Sequence, residues 1–212
     1  MRILTTTQLT DEWRMARVGM FSASRAADML ATTQKGGEAA ARRDLRLQLA
    51  LERITGQPQG DDFQNAAMLR GVEKEPAAFD AYEALTGQMA HKVGFVAHDT
   101  LMMGASPDGI IGDWEGLLEI KAPKSATHLS YLKEKAIPKE YIAQITHALF
   151  VTGAKWASFV SFDDRMPGRL QMFHVRIARD EAVVQAYADK AIAFLKEVDV
   201  EVQSIKELQN AV

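Results

Sequence analysis

With 212 residues, the chain is long enough for one well-packed domain and short for two, so a single domain over 1–212 is expected. Lys plus Arg number 25 against 28 Asp plus Glu, a formal charge of −3, so a polyanionic partner would have to meet a local basic surface. The absence of cysteine excludes disulfides, thiolate metal sites and thiol nucleophiles, and fits a reducing cytoplasm. The first residues lack the apolar core of a signal peptide, and no run nears the roughly 20 apolar residues of a membrane helix.

In chain order, Thr10 is placed to cap a short helix over Asp11–Ala16, and Val18-Gly19-Met20-Phe21 breaks that pattern. Ser22 or Ser24 can cap a second helix over Arg25–Ala31. Thr32–Glu38, with Gly36-Gly37, reads as a loop. Ala39–Thr55 carries Leu45, Leu49 and Ile54 on one stripe, with Gly56 at its end. A further helix covers about Asn65–Thr86, where Gly71 and Pro76 predict a break or restart near Gly71–Glu75. Met89 to Lys121 changes to short apolar runs divided by glycines, the pattern of strands and hairpins. Helices around Ser125–Lys135 and Lys139–Thr152, strands at Trp156–Phe162 and Leu170–Ile177, and a helix over Asp180–Glu197 follow. A polar tail, about 198–212, ends the chain. The order predicts an α/β (α+β) layer fold with helices on one central mixed sheet.

The chemistry concentrates in Ser106-Pro107-Asp108-Gly109 and, ten residues on, Glu119-Ile120-Lys121. Glu119 and Lys121 lie two apart in an apparent strand and share a face. A hairpin turning at Trp114-Glu115 would pair Asp108 with Lys121 and bring all three together. One reading is a solvated hairpin face with an ordinary Glu–Lys pair. Against it, Leu117, Leu118, Ile120 and Ala122 mark a strand buried on at least one side, where charges need a partner or a purpose. Carboxylate oxygens suit Mg²⁺ or Mn²⁺, and a neighbouring lysine can orient a water or stabilise charge on phosphorus.

The pattern Pro107-Asp108…Glu119-Ile120-Lys121 resembles the hallmark of the PD-(D/E)xK nucleases. The chain further resembles the phage lambda exonuclease and YqaJ-type viral recombinase family from about Trp13 to Asp180. The shared motifs are Trp13-Arg14, Arg17-Val18-Gly19, Ser22-Ala23-Ser24, Gly71-x-x-x-Glu75, Ser106-Pro107-Asp108-Gly109, Glu119-Ile120-Lys121 and Tyr141-x-x-Gln144, in family order.

The resemblance implies a PD-(D/E)xK core, with Asp108, Glu119 and the backbone carbonyl of Ile120 as metal ligands. Glu75, rather than Glu73, completes the metal shell. Lys121 positions or activates the attacking water, and Gln144 lies near the scissile phosphate with Tyr141 close by. Arg17, Ser24 and Ser106 match a pocket for a 5′-phosphate; Ser24 can equally be a plain helix cap. The family's second phosphate-binding arginine falls near Thr32–Gly36, where this chain has none, leaving Lys35, Arg42 and Arg43 as neighbouring substitutes. Lys124, Lys133, Lys135 and Lys139 form either a solvated face or a track for DNA backbone. His128 and His147 have no spacing for a metal pair and read as core or surface residues.

The function so implied is a Mg²⁺-dependent (Mn²⁺ as an alternative), ATP-independent 5′→3′ exonuclease. It would act on double-stranded DNA ends, release mononucleotides and leave a 3′ single strand for phage-type recombination. A homotrimeric ring, a single-strand annealing recombinase as partner and a location in the cytoplasm of a bacterial host come with the same resemblance. The competing readings are a PD-(D/E)xK endonuclease and a catalytically silent DNA-binding recombination scaffold.

Overall fold

The computed structural model describes residues 1–59 and 66–210. Its strands form two mixed sheets rather than the one expected. The first is built from β1 (Arg2–Leu4), β2 (Phe21–Ser22), β4 (Phe95–Ala97) and β5 (Met103–Ala105), in the order β1-β4-β5-β2. The second contains β3 (Ala90–His91), β6 (Gly109–Ile111), β7 (Gly116–Lys121), β8 (Trp156–Phe162) and β9 (Met172–Ala178), in the order β3-β6-β7-β8-β9. Within the first sheet, β4 and β5 lie in the Met89–Lys121 run that reads as strands; β1 and β2 were missed because each is only two or three residues with no flanking strand pattern.

Seven helices flank these sheets among the described residues: α1 (Asp11–Ala16), α2 (Ala26–Leu30), α3 (Ala40–Thr55), α4 (Ala66–Thr86), α5 (Ser125–Glu134), α6 (Lys139–Thr152) and α7 (Glu181–Asn210). Parallel strands need a long crossover, and α5 with α6 supplies it between β7 and β8. The central strand β7 is buried from Gly116 to Ile120. Its alternation sorts the core into two halves. Leu117 joins Ile145, Phe159, Phe194 and the helices α2, α3, α6 and α7. Leu118 and Ile120 pack with Val160, Phe162 and the α4 residues Ala78, Phe79 and Tyr82. At Gly116 a Cβ would meet the Trp156 ring at 2.3 Å, so only glycine fits where β7 enters the sheet.

Three element readings change. Pro76 lies inside an unbroken α4; its missing N–H leaves the Val72 carbonyl unserved, and Val72 is exposed, so water can replace the bond. Asn65, placed at the start of that helix by the sequence, lies outside the described residues. The polar tail is helical to Asn210: Val198 is buried, and Val202 and Ile205 continue its stripe against the core. Arg42 binds Glu197 and Arg46 binds Glu201, tying this extension to α3. Ser24 caps no α-helix; a 3-10 turn, Ala23–Arg25, precedes α2, whose cap is Arg25. By contrast, Thr10 caps α1 as expected, accepting from the Trp13 N–H at 3.3 Å.

Both histidines near the motifs are core ties. His128 donates from Nε2 to the Leu170 carbonyl and accepts the Ser161 hydroxyl at Nδ1. His147 donates to Gly104 and accepts from the Tyr187 hydroxyl. Burial drives the His147 pKa down to about 3, so it stays neutral.

Candidate active site

The β6–β7 hairpin carries the acidic residues. Its register pairs Gly109 with Leu118 and Ile111 with Gly116, so Asp108, one step further, lies opposite Glu119 rather than Lys121. The turn is centred one residue earlier than the sequence suggested, with Gly112 and Trp114 both at positive φ. This moves the pairing by two residues, which preserves parity, so Asp108, Glu119 and Lys121 still share one face. That face looks toward α6.

There the side chains converge. Lys121 Nζ and Gln144 Nε2 each donate to Oε1 of Glu119 at 2.5 Å. Asp108 Oδ2 accepts the backbone N–H of Ile120 at 2.6 Å. Tyr141 lies under the Lys121 ammonium, 5.1 Å from ring centroid to Nζ, and stacks on Phe159. Burial, then the nearby Glu119 charge, pushes the Asp108 carboxyl up to about 8, with a smaller contribution from Glu75. Lys121 is partly buried, which alone would lower its pKa; Glu119 and Asp108 outweigh this and raise it, so it is an ammonium.

Asp108, Lys121 and Gln144 open onto a cleft of about 1370 Å³, lined also by Glu75, Ile120 and Lys92. Glu75, on α4, is paired with Lys92 at 2.6 Å, while Glu73 points away to Lys74. Among the described residues no three acidic or histidine side chains converge at metal-ligand distance. Each carboxylate is held instead by a cation or an N–H group. The donor set nonetheless fits a hard divalent cation: Asp108 and Glu75 offer carboxylate oxygens to the cleft, and the Glu119 and Glu75 charges both act on Asp108, which such an ion would relieve.

The opposite wall comes from α1 and the turn after it. The Arg17 guanidinium lies 3.8 Å over the Trp13 ring, and Trp13 Nε1 donates to Ser106 Oγ at 2.9 Å. The Arg17 Nε is buried with no hydrogen-bond partner. Desolvation lowers the Arg17 pKa to about 10, opposed by Glu52. Ser22 and Ser24 touch through their hydroxyls at 3.3 Å, and both line the cleft with Ser106.

Arg17, Ser24 and Ser106 are thus brought together on one wall. The proposed substitutes for the second arginine are not: Lys35 is exposed in the Thr32–Glu38 loop, Arg42 is bound to Glu38 and Glu197, and Arg43 to Asp44. None of them lines the cleft. Arg25 does, bonded to Asp28 and to Gln48 on α3, and sequence reading missed it although it follows Ser24 directly. Gln8 was missed as well. Its amide donates to the carbonyls of both Val93 and Pro107, clamping the loop before Asp108 to the segment bearing Lys92, and nothing local in the sequence signals that role.

The model of the YqaJ-like viral recombinase domain matches residues 12–155. The chain is similar to the alkaline exonuclease LHK-Exo from Laribacter hongkongensis, with 39% identity, a TM-score of 0.85, and coverage of 95% of this chain and 99% of that one. The structure of LHK-Exo in complex with dAMP matches over the same shares with a TM-score of 0.86. A phage-related exonuclease from Haemophilus somnus 129PT, 12% identical, shares the fold at a TM-score of 0.65, covering 88% of this chain and 96% of that one. No curated protein matches the chain. No helix among the described residues is long and apolar enough to cross a membrane. The resemblance carried by the motifs is borne out: the chain belongs to the YqaJ-like viral recombinase family and has the fold of its alkaline exonucleases.

Proposed function

We propose that this nuclease-family chain is a Mg²⁺-dependent, ATP-independent exonuclease that digests linear double-stranded DNA 5′→3′. It would release mononucleotides and leave a 3′ single strand for annealing-type recombination. The carrying observation is that one cleft has Asp108, Lys121 and Gln144 on its floor, the last two bonded to the buried Glu119, and Arg17 with Ser24 and Ser106 on its wall. LHK-Exo has been described in complex with dAMP, a mononucleotide of the product class proposed here.

Asp108, Glu119 and the Ile120 carbonyl, with Glu75 beside them, would hold the divalent cation. Bound there, it supplies Lewis acidity at the phosphoryl oxygen and lowers the pKa of a bound water. Lys121 would position or activate the attacking water and donate hydrogen bonds that stabilise negative charge on phosphorus. Gln144 fixes the Glu119 carboxylate from α6. Arg17, which lines the cleft, would offer its guanidinium to a terminal phosphate, with the Trp13 ring orienting it. The same reading takes the homotrimeric ring, an annealing recombinase partner and a bacterial cytoplasmic location from the family resemblance.

The test is digestion of matched linear duplexes bearing 5′-phosphate or 5′-hydroxyl ends, with a closed circle alongside, in Mg²⁺ and in chelator. The expected result is mononucleotide release from the phosphorylated end, dependent on Mg²⁺, with the circle intact. Cutting of the circle would replace this reading with an endonuclease. Binding without any digestion would leave a DNA-binding scaffold.

A further inference from the structure

We propose that Lys92 is a displaceable counter-ion for Glu75, holding that carboxylate until a divalent cation takes it and thereby setting the metal affinity of the cleft. The inference rests on the metal-dependent reading above and concerns a residue that reading does not use.

The Lys92 ammonium lies 2.6 Å from Glu75 Oε1, yet its side chain is 62% exposed. An ion pair this open contributes little to stability, so folding alone does not account for it. Its other neighbour is the face of Phe79, 5.6 Å away, which leaves the ammonium free to move. The backbone beneath it is not free. Gln8 joins the carbonyl of Val93, the next residue, to that of Pro107, which precedes Asp108. At Gly94 a Cβ would lie 2.1 Å from the Thr6 carbonyl, so the chain is packed tightly there as well. A fixed backbone with a long, open side chain lets the charge swing while its origin stays beside the acidic cluster.

The charge has a reason to be there. Glu75 and Asp108 both line the cleft, and the Glu75 charge is felt at Asp108. Lys121 answers Glu119, and Lys92 answers Glu75. A divalent cation entering the cleft competes with both ammonium groups, but the Lys121 side chain is only 26% exposed, against 62% for Lys92. Lys92 is therefore the one that yields. No atom is transferred in this exchange; one cation replaces another on Glu75.

Mn²⁺ titration followed by electron paramagnetic resonance measures free metal directly and needs no DNA. Lys92→Met should tighten Mn²⁺ binding about three- to fivefold, the size of an exposed ion pair, and Lys92→Arg should bind like the wild type. Removing any nearby positive charge also favours a cation, so the decisive arm is Lys92→Met in a Glu75→Gln background. There the tightening should vanish. A full effect in that background would reduce Lys92 to long-range charge and overturn the proposal, as would an unchanged or weaker Kd in Lys92→Met alone. If Mn²⁺ binds the wild type and Asp108→Asn weakens it while Lys92→Met does nothing, only the counter-ion role falls. If the wild type binds no Mn²⁺, the metal-dependent reading falls with it.

Discussion

The floor and the wall of the cleft are built by different means. The floor hangs on β7, a strand buried from Gly116 to Ile120, and each of its acidic groups is met by a donor from a neighbouring element. The wall stands on α1, a helix of six residues with none buried, followed by a 3-10 turn, and its central arginine keeps an unpartnered Nε. A saturated, rigid floor suits groups that must hold a fixed geometry around the reacting phosphate. A wall whose arginine and serines line an open cleft suits recognition of a group that arrives with the substrate.

The sharpest way to break that comparison is to remove the floor's charges. Asp108→Ala and Lys121→Ala should each reduce Mg²⁺-dependent digestion by on the order of 10³-fold, with duplex binding retained in a gel-shift assay. Substantial activity in either variant would mean that the chemistry lies elsewhere. Arg17→Ala should act differently. It should erase the advantage of a 5′-phosphate over a 5′-hydroxyl, roughly 10- to 100-fold for a charge-assisted hydrogen bond, and leave the 5′-hydroxyl duplex at its original rate. Equal losses on both substrates would assign Arg17 to the floor's chemistry or to folding.

The same contrast governs what could be read from the sequence. Strand period 2 places Glu119 and Lys121 on one face without tertiary information, so the floor was legible. Even an error of two residues in the hairpin register left Asp108 on that face, because only an odd shift would have turned it away. Gln144 and Glu75 became readable only through family motifs, since a glutamine or glutamate on a helix has no local signature of its destination. The wall was less legible. Arg25 and Gln8 owe their places to contacts with Gln48, Val93 and Pro107, far along the chain, and Ser24, read either as a pocket residue or as a helix cap, caps no α-helix. The missing second arginine was illegible for the same reason: Lys35, Arg42 and Arg43 are near in sequence, but all three lie off the cleft.

The floor also carries a cost that the wall does not. The folded state raises the Asp108 pKa from 3.8 to about 8, so between those values the native protein binds more protons than the unfolded chain. Stability from this group therefore falls as pH rises through that window. Asp108→Asn removes the charge while its amide oxygen can still accept from Ile120. It should raise Tm at pH 8 by several degrees, at about 2–4 °C per kcal/mol for a chain of this size, and change it little near pH 4. Saturating Mg²⁺ should raise the wild-type Tm at pH 8 and shift Asp108→Asn much less. A lower Tm for Asp108→Asn at pH 8 would show that the carboxylate is not strained in the folded state.

The smallest effect expected is at the joint between the two regions. Trp13 belongs to the wall, stacking under Arg17, but its indole N–H reaches Ser106, two residues before Asp108. Trp13→Phe keeps an aromatic face and loses the hydrogen bond; Trp13→Leu loses both. A partly exposed cation–π contact contributes about 1 kcal/mol, so Trp13→Leu should raise KM for the 5′-phosphorylated duplex about fivefold and leave kcat nearly unchanged. If stacking is what matters, Trp13→Phe recovers most of that KM. If it lowers kcat instead, the Ser106 bond is steadying the loop that carries Asp108, and the wall would then be helping to hold the floor in place.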